Sequence, residues 1–482
     1  MNKLLNRYRN SSPALRTSVW FALCNYLQRG TALIVVPIFT RLLTTEQYGI
    51  CNIYFAWFDI FVLFTSLKLP YEGLNNGLIR HESDKDGYTS AILGLIAVLT
   101  VGAGLVYLFL REWIDRFTGL NSFLMAVMFL QLLFQPALML WTNRERFDFR
   151  YRLPVVVTLI STILNPVIAI IAVLNTAYMA EARIISSALV QVFFGLICAV
   201  ILLRQGKTLY RKDYWRFALG FNLPLLAYYL SQSLLNQSDR IMINYFEGSG
   251  KAAIYSVAYA AATLMLLAVS AVNGAFNPWM YRKLKSGDYS HITPVAAQLC
   301  LLGCGSTLAM TIFAPDLVAI LATAEYSQAI WIIPPVSASV FFVFIYMIFA
   351  NVEMYYGENR GISLISILCT LVNIVLNAVF IPAFGYLAAG WTTLASYMLL
   401  ALLHYLLMKR TCQMHGVSDP IFPEKLVLCV CAAVFGLTFV SMGLYTLGSV
   451  RYVIIAVEAL LIIIFRKQLL SLLKQIKKER KS

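Results

Sequence analysis

Isolated charged and amide side chains set inside long apolar runs are the residues of this chain that could do chemistry. A charge at bilayer depth costs roughly 2.5–3.5 kcal/mol by insertion scales, so it needs a partner, a ligand or a water-filled cavity. Arg29 stands 12 residues before Arg41, and Asp59 stands 11 beyond Tyr48. At 1.5 Å per residue both lie roughly 16–18 Å deep. Two readings stay open for them: a buried salt bridge that locks two helices, or an Arg29 that offers its guanidinium to an anionic headgroup. Gln232, Asn236, Arg240 and Asn244 follow at four-residue steps, with Ser233, Gln237 and Asp239 beside them. Such a stripe occupies one helix face and is expected to line a cavity rather than meet lipid. Asn222 and Pro224 near its inner end mark a candidate hinge. Tyr255 and Tyr259, then Asn273 and Asn277, are each four apart, and Gln131 and Gln135 repeat the pattern. Flat faces beside amides suit sugars, although aromatic stripes are also ordinary packing.

The elements that must position these groups are helices in a membrane. Hydrophobic residues make up 60% of the 482 and charged residues only 13%. Soluble cores cannot hide that much apolar surface, whereas a bilayer can, and helices satisfy their own backbone there. Apolar runs predict an all-α polytopic fold of about 14 spans. The first six lie near 17–40, 47–69, 89–110, 121–142, 154–174 and 180–203. Six more lie near 216–245, 252–279, 292–314, 328–353, 361–383 and 387–408, and a last pair near 425–447 and 450–466. The corresponding division is an N-lobe at 1–203, a cytoplasmic linker at 204–215, a C-lobe at 216–410, two extra helices within 411–466 and a basic tail at 467–482. Of the 38 lysines and arginines, 29 fall on the side that holds both termini, which the positive-inside rule assigns to the cytoplasm.

Several function classes are set aside. The net charge of +15 is spread over every inner loop, so no nucleic-acid partner is expected. The nine cysteines are scattered without a CxxC pair, which argues against zinc and structural disulfides. The first apolar run is too long for a removable leader. Gly248-Ser249-Gly250-Lys251-Ala252 lacks the leading glycine and the Ser/Thr of a P-loop. No extramembrane stretch is long enough to fold alone, so the chain is not expected to be an enzyme. The tail, with Arg466 at its start, carries seven basic residues with Leu469, Leu472, Leu473 and Ile476 at helical spacing, which fits a surface helix on an anionic leaflet.

The chain also repeats itself. Ile163-Leu164-Asn165-x-Val167 mirrors Val375-Leu376-Asn377-x-Val379 at an offset of 212, and Tyr48 to Tyr54 parallels Ala253 to Tyr259. Six spans per half is an even number, so the halves are parallel repeats that would rock about a central cavity.

Three strings carry a family resemblance. Pro37-Ile38-Phe39-Thr40-Arg41-Leu42-Leu43-Thr44-Thr45-Glu46-Gln47-Tyr48-Gly49 resembles the signature of bacterial polysaccharide flippases of the Wzx type, within the multidrug/oligosaccharidyl-lipid/polysaccharide exporter superfamily. Ser238-Asp239-Arg240-Ile241 with Ile254-Tyr255-Ser256, and Pro382 to Gly390, resemble further parts of the same family. The resemblance implies alternating-access transport of undecaprenyl-pyrophosphate-linked oligosaccharides from the inner to the outer leaflet of a bacterial cytoplasmic membrane. It implies no cofactor beyond a coupling H+ or Na+, for which Asp59, Asp239 and Glu353 are the candidate groups, with plain ion pairing as the alternative. The implied partners are the polyprenyl-pyrophosphate oligosaccharide, the lipid bilayer and other polysaccharide-assembly membrane proteins. On this reading Arg29, Arg240, Asn236, Gln232, Asn244, Tyr255 and Tyr259 are the substrate-binding candidates. Relatives that flip the peptidoglycan precursor carry several cavity arginines, whereas this reading offers mainly Arg29 and Arg240. A cation-coupled multidrug exporter of the same superfamily is the alternative, disfavoured by two extra spans and by arginines within the membrane.

Overall fold

The computed structural model describes residues 12–417, 420–457 and 460. Among them, twelve helices are long and apolar enough to cross a membrane, and no strand occurs. The protein is an all-α polytopic membrane protein. The seventh expected span is a 36-residue helix, Lys212–Glu247, long enough to cross but too polar to count among the twelve. The fourteenth falls partly outside the described residues, and the basic tail wholly outside them.

The chain divides into two compact units, Met1–Ala253 and Ile254–Ser482. In the first, α1 is Pro13–Leu42 and α2 is Thr45–Ser66, with the short α3 at Leu74–Arg80. Then come α4 at Lys85–Phe109, α5 at Arg111–Thr118, α6 at Ser122–Phe147, α7 at Arg152–Leu174, α8 at Met179–Gly206 and α9 at Lys212–Glu247. Helix α10, Ser249–Ser286, opens the second unit from Ile254 onward. It is followed by α11 at Ile292–Ile312, α12 at Ala314–Leu321, α13 at Ile333–Tyr355, α14 at Asn359–Phe384, α15 at Ala388–Met414 and α16 at Glu424–Leu444.

Local chemistry explains the tight turn from α1 to α2. Thr44 and Gln47 form a reciprocal capping box: the Thr44 hydroxyl accepts from the Gln47 amide at 3.2 Å, and the Gln47 side chain accepts from the Thr44 amide at 3.1 Å. That satisfies two donors that α2 would otherwise leave open. Arg41 donates to the Pro37 carbonyl at 2.8 Å near the end of α1. Gly49 lets the backbone at Ser249 come close, since a Cβ there would sit 2.0 Å from the Ser249 carbonyl oxygen. Small residues permit such approach where helices pack in lipid.

The expected inner loop at 70–88 is instead structured. Leu67 and Lys68 take left-handed conformations (φ 48° and 56°), reversing the chain into a π-helical turn at Leu69–Gly73 and then α3. Leu69, Leu74 and Leu78 bury completely, so apolar anchoring holds a segment that charge alone made look like a loop. The first unit is also tied by an internal polar chain. Tyr54 of α2 donates to Gln131 of α6 at 2.9 Å, and Gln131 donates to Gln191 of α8 at 2.8 Å.

The duplication is visible in the packing within each unit. In the first, α8 packs against both α6 and α7; in the second, α15 packs against both α13 and α14. The repeated asparagines sit at the same kind of joint. Asn165 of α7 donates to Ser187 of α8 at 2.9 Å, and Asn377 of α14 accepts from Thr392 of α15. Helix α9, assigned to the C-lobe in the sequence division, packs on α2 and α4 of the first unit. The boundary of the duplication and that of the packing thus differ by one helix.

Three substitutions test this packing. Gly49→Ala is expected to lower stability by about 1–3 kcal/mol through overpacking against backbone, beyond any gain in helix propensity. Gly102→Ala, where a Cβ would meet nothing within 4 Å, is expected to leave thermal unfolding in detergent unchanged or raised. Gln131→Leu would strand the buried Tyr54 hydroxyl and the Gln191 amide, costing about 1–3 kcal/mol in the same measurement.

Candidate functional site

A cavity of about 750 Å³ lies wholly within the first unit, between α1, α2, α6, α7 and α8. Its wall alternates amides and hydroxyls with aromatic and aliphatic faces. Asn25, Gln28 and Thr31 come from α1, and Tyr48, Asn52 and Phe55 from α2. Helix α6 gives Gln135, Asn143 and Arg146, helix α7 gives Thr158, Thr162 and Asn165, and helix α8 gives Arg183, Ser187 and Gln191. Among the described residues, two arginines and no carboxylate line it. Such a surface can hold sugar hydroxyls and an anion together.

Arg183 is held by rings rather than by an acid. Its guanidinium lies 4.1 Å from the Phe39 ring centre and 5.7 Å from that of Phe55, and it reaches the Asn165 side-chain oxygen at 3.5 Å. Phe39 is itself fully buried, so it fixes the cation from below. Arg146 rests on Phe21 at 5.2 Å. It also borders a neighbouring cavity of about 890 Å³ at the end of α6, lined by Asn75, Lys85, Asp148 and Arg150 among others. The acid there is already engaged: Asp148 accepts from Arg144 at 2.6 Å and from Lys85 at 3.4 Å. Burial pushes its carboxyl up, but the Arg144 hydrogen bond and the two cations outweigh that and hold it below the ordinary carboxylate range. A smaller cavity of about 230 Å³ contains Asp59, Lys68, Ser233, Asn236 and Gln237. Tyr71, Gln135 and Met139 border both it and the 750 Å³ cavity.

The predicted residues are distributed unevenly over this geometry. Arg29 is exposed and absent from the cavity wall, because it stands one position, about 100°, past Gln28. Its expected salt bridge with Asp59 does not form: Asp59 accepts from Gln237 of α9 at 2.7 Å instead. Gln237 in turn accepts from Arg240 at 2.5 Å. The α9 stripe is half-exposed along Gln232, Arg240 and Asn244, yet only Asn236 of its four members lines one of these cavities. Asp239 is buried. Pro224 does not break α9, and Asn222 is fully buried, donating to the Ala218 carbonyl at 2.9 Å.

In the second unit, Tyr255 is buried to 1% exposure against Tyr259 and Thr393, which makes it a packing group rather than an open platform for sugars. Glu353 is fully buried and meets His404 at 2.8 Å across α13 and α15, with Tyr346 stacked on the imidazole. Sequence reasoning missed Arg146 and Arg183. The signal was present, since Arg183, Ser187 and Gln191 repeat every four residues as the α9 stripe does.

Comparison with known proteins places these features in context. The structure is similar to the solved "Lipid II flippase MurJ, inward closed conformation", with a TM-score of 0.68 and 13% identity, over 94% of this chain and 100% of that one. It is also similar to the "Inward-facing conformation of a multidrug resistance MATE family transporter of the MOP superfamily", with a TM-score of 0.58 and 14% identity over 81% and 96%. At those identities the likeness is one of fold. A curated relative, "Lsg locus putative protein 1" of Haemophilus influenzae, is 29% identical over 167 residues, 32% of this chain and 39% of that protein's length. Residues 14–283, more than half of the chain and including the whole cavity wall, match the family model described as "Polysaccharide biosynthesis protein", and the chain belongs to that family.

Proposed function

We propose that the protein is a flippase that carries undecaprenyl-pyrophosphate-linked oligosaccharides from the inner to the outer leaflet of a bacterial cytoplasmic membrane, by alternating access, with both termini cytoplasmic. One observation carries this reading: the 750 Å³ cavity pairs two arginines with amides and hydroxyls and presents no carboxylate. A diphosphate with attached sugars cannot cross hydrocarbon unaided, because its charge and hydroxyls lose their water. A cavity of this composition replaces that water, while the polyprenyl tail stays in the lipid. Family membership and the shared fold with a lipid II flippase support the same reading. An H+ or Na+ gradient is the proposed energy source, with Asp59, Asp239 and Glu353 as the candidate groups. Export of cationic drugs is the alternative for this fold, and it would call for an acidic cavity.

Depletion of the protein in its own host tests the reading. Surface glycan is expected to fall at least tenfold while lipid-linked oligosaccharide accumulates on the inner leaflet, and the wild-type gene is expected to restore both. Unchanged glycan together with heightened sensitivity to cationic drugs would contradict the proposal.

A further inference from the structure

The end of α6 stops in an unusual way. Phe149 takes a left-handed conformation (φ 59°). Its amide donates to the Arg146 carbonyl at 3.0 Å, and the Arg150 amide donates to the Glu145 carbonyl at 2.9 Å. That pair of bonds is a left-handed helix stop in which glycine usually stands, because a Cβ there crowds the following carbonyl. Here the strained residue is a phenylalanine, and 51% of it is exposed. Its carbonyl is tied to α1, where the buried Thr17 hydroxyl donates to it at 3.2 Å. Holding a bulky ring out of the core against backbone strain calls for a contact outside the chain.

The surroundings of that ring are cationic on one side and apolar on the other. Phe149 lines the 890 Å³ cavity together with Lys85, Arg146 and Arg150. Asp148 is the one acid on this wall among the described residues, and Arg144 and Lys85 already hold it. Three cations against one acid leave two positive charges in surplus. Arg150 approaches Glu145 only at 3.9 Å, and its side chain is 67% exposed. An exposed apolar stripe starts at the next turn of chain: Leu153, Val156, Ile160 and Ile163 recur every three or four residues on one face of α7. A soluble anion would engage the cations and leave ring and stripe uncovered, and a neutral lipid would leave the cations unmatched. An amphiphile with an anionic head satisfies both, and basic pockets between spans on the cytoplasmic side suit such headgroups.

We propose that the end of α6 is a binding site for an anionic glycerophospholipid of the surrounding bilayer, of the phosphatidylglycerol class. Lys85 and Arg150 take the phosphate, Phe149 packs on the glycerol and the first acyl carbons, and the chains lie along the α7 stripe. The site stands on the geometry of the first unit and does not need the flippase reading. Only the leaflet it faces follows from the proposed orientation.

Thermal unfolding of the delipidated full-length protein in neutral detergent tests this, with phosphatidylglycerol, phosphatidylcholine of the same chains, or glycerol 3-phosphate added. Phosphatidylglycerol is expected to raise Tm by several degrees, and the other two to leave it where it was. Arg150→Gln should raise the half-saturating phosphatidylglycerol concentration about fivefold, the worth of one cation beside an anionic lipid. Phe149→Gly should melt higher than wild type without lipid, since the strain is relieved, yet lose most of the lipid response. Those opposite signs separate a lost contact from a damaged fold. The exposed Arg116→Gln, at the other end of the spans, should respond as wild type does. Should Phe149→Gly fail to fold, Arg150→Gln decides alone. An equal shift with phosphatidylcholine or with glycerol 3-phosphate, no shift with phosphatidylglycerol, or an unchanged half-saturating concentration in Arg150→Gln would overturn the site.

Discussion

The membrane-embedded guanidinium of Arg183 is the constraint around which the first unit is arranged. An arginine at the centre of a span costs roughly 2.5–3.5 kcal/mol by insertion scales, and Arg183, the fifth residue of α8, bears the smaller cost of a position nearer the helix end. Each ring face returns about 0.5–2 kcal/mol, and Phe39 and Phe55 supply two. The remaining donors need water or an anion, so the helices around them cannot close into an apolar core. The cavity wall follows from that demand, as do its amides and hydroxyls. So does the close-packed turn before it, where Thr44, Gln47 and Gly49 fix the ends of α1 and α2 and so place Phe39 beneath the cation.

The second unit solves the same problem in the opposite way. Its helices repeat the three-helix packing of the first, yet its charged pair is closed off. Glu353 Oε2 and His404 Nδ1 meet at 2.8 Å with almost no exposure, leaving Glu353 Oε1 and His404 Nε2 buried without a hydrogen-bond partner among the described residues, while Tyr255, Asn377 and Thr392 make internal hydrogen bonds at other joints of the unit. At the joint where Arg183 and Ser187 of α8 reach Asn165 in the first unit, the second unit sets Thr392 of α15 against Asn377. Exchanging one side chain at an equivalent joint converts a self-satisfied contact into an unsatisfied cation. Duplicated folds can thereby keep one architecture and concentrate ligand chemistry in a single half.

Much of the architecture was legible because lipid imposes a coarse rule: about 20 apolar residues make a span. Helix positions, the duplication and the two repeated asparagines all followed from that rule and from spacing. Helix α9 escaped hydropathy but not periodicity, since its polar stripe predicted a helix where mean apolarity is low. The site was less legible for a geometric reason. Arg29 and Gln28 are neighbours in sequence, and only a rotation of about 100° decides which one meets the cavity. Depth alone paired Arg29 with Asp59, whereas the neighbour that reaches Asp59 is Gln237, distant in the chain. Arg183 lay inside the expected span 180–203, but its stripe with Ser187 and Gln191 is only three residues long and was overshadowed by the longer one on α9.

The central claim, a hydrated cationic cavity inside the first unit, is tested most directly by cysteine accessibility. Gln28→Cys on the cavity wall and Ile34→Cys on the exposed apolar face of α1 would each be placed in a background without reactive native thiols. A charged, membrane-impermeant maleimide is then applied to everted vesicles. Rapid labelling at position 28, slowed by pyrophosphate, with none at position 34, is the predicted result. Equal labelling at both positions, or an inert position 28, would contradict the account.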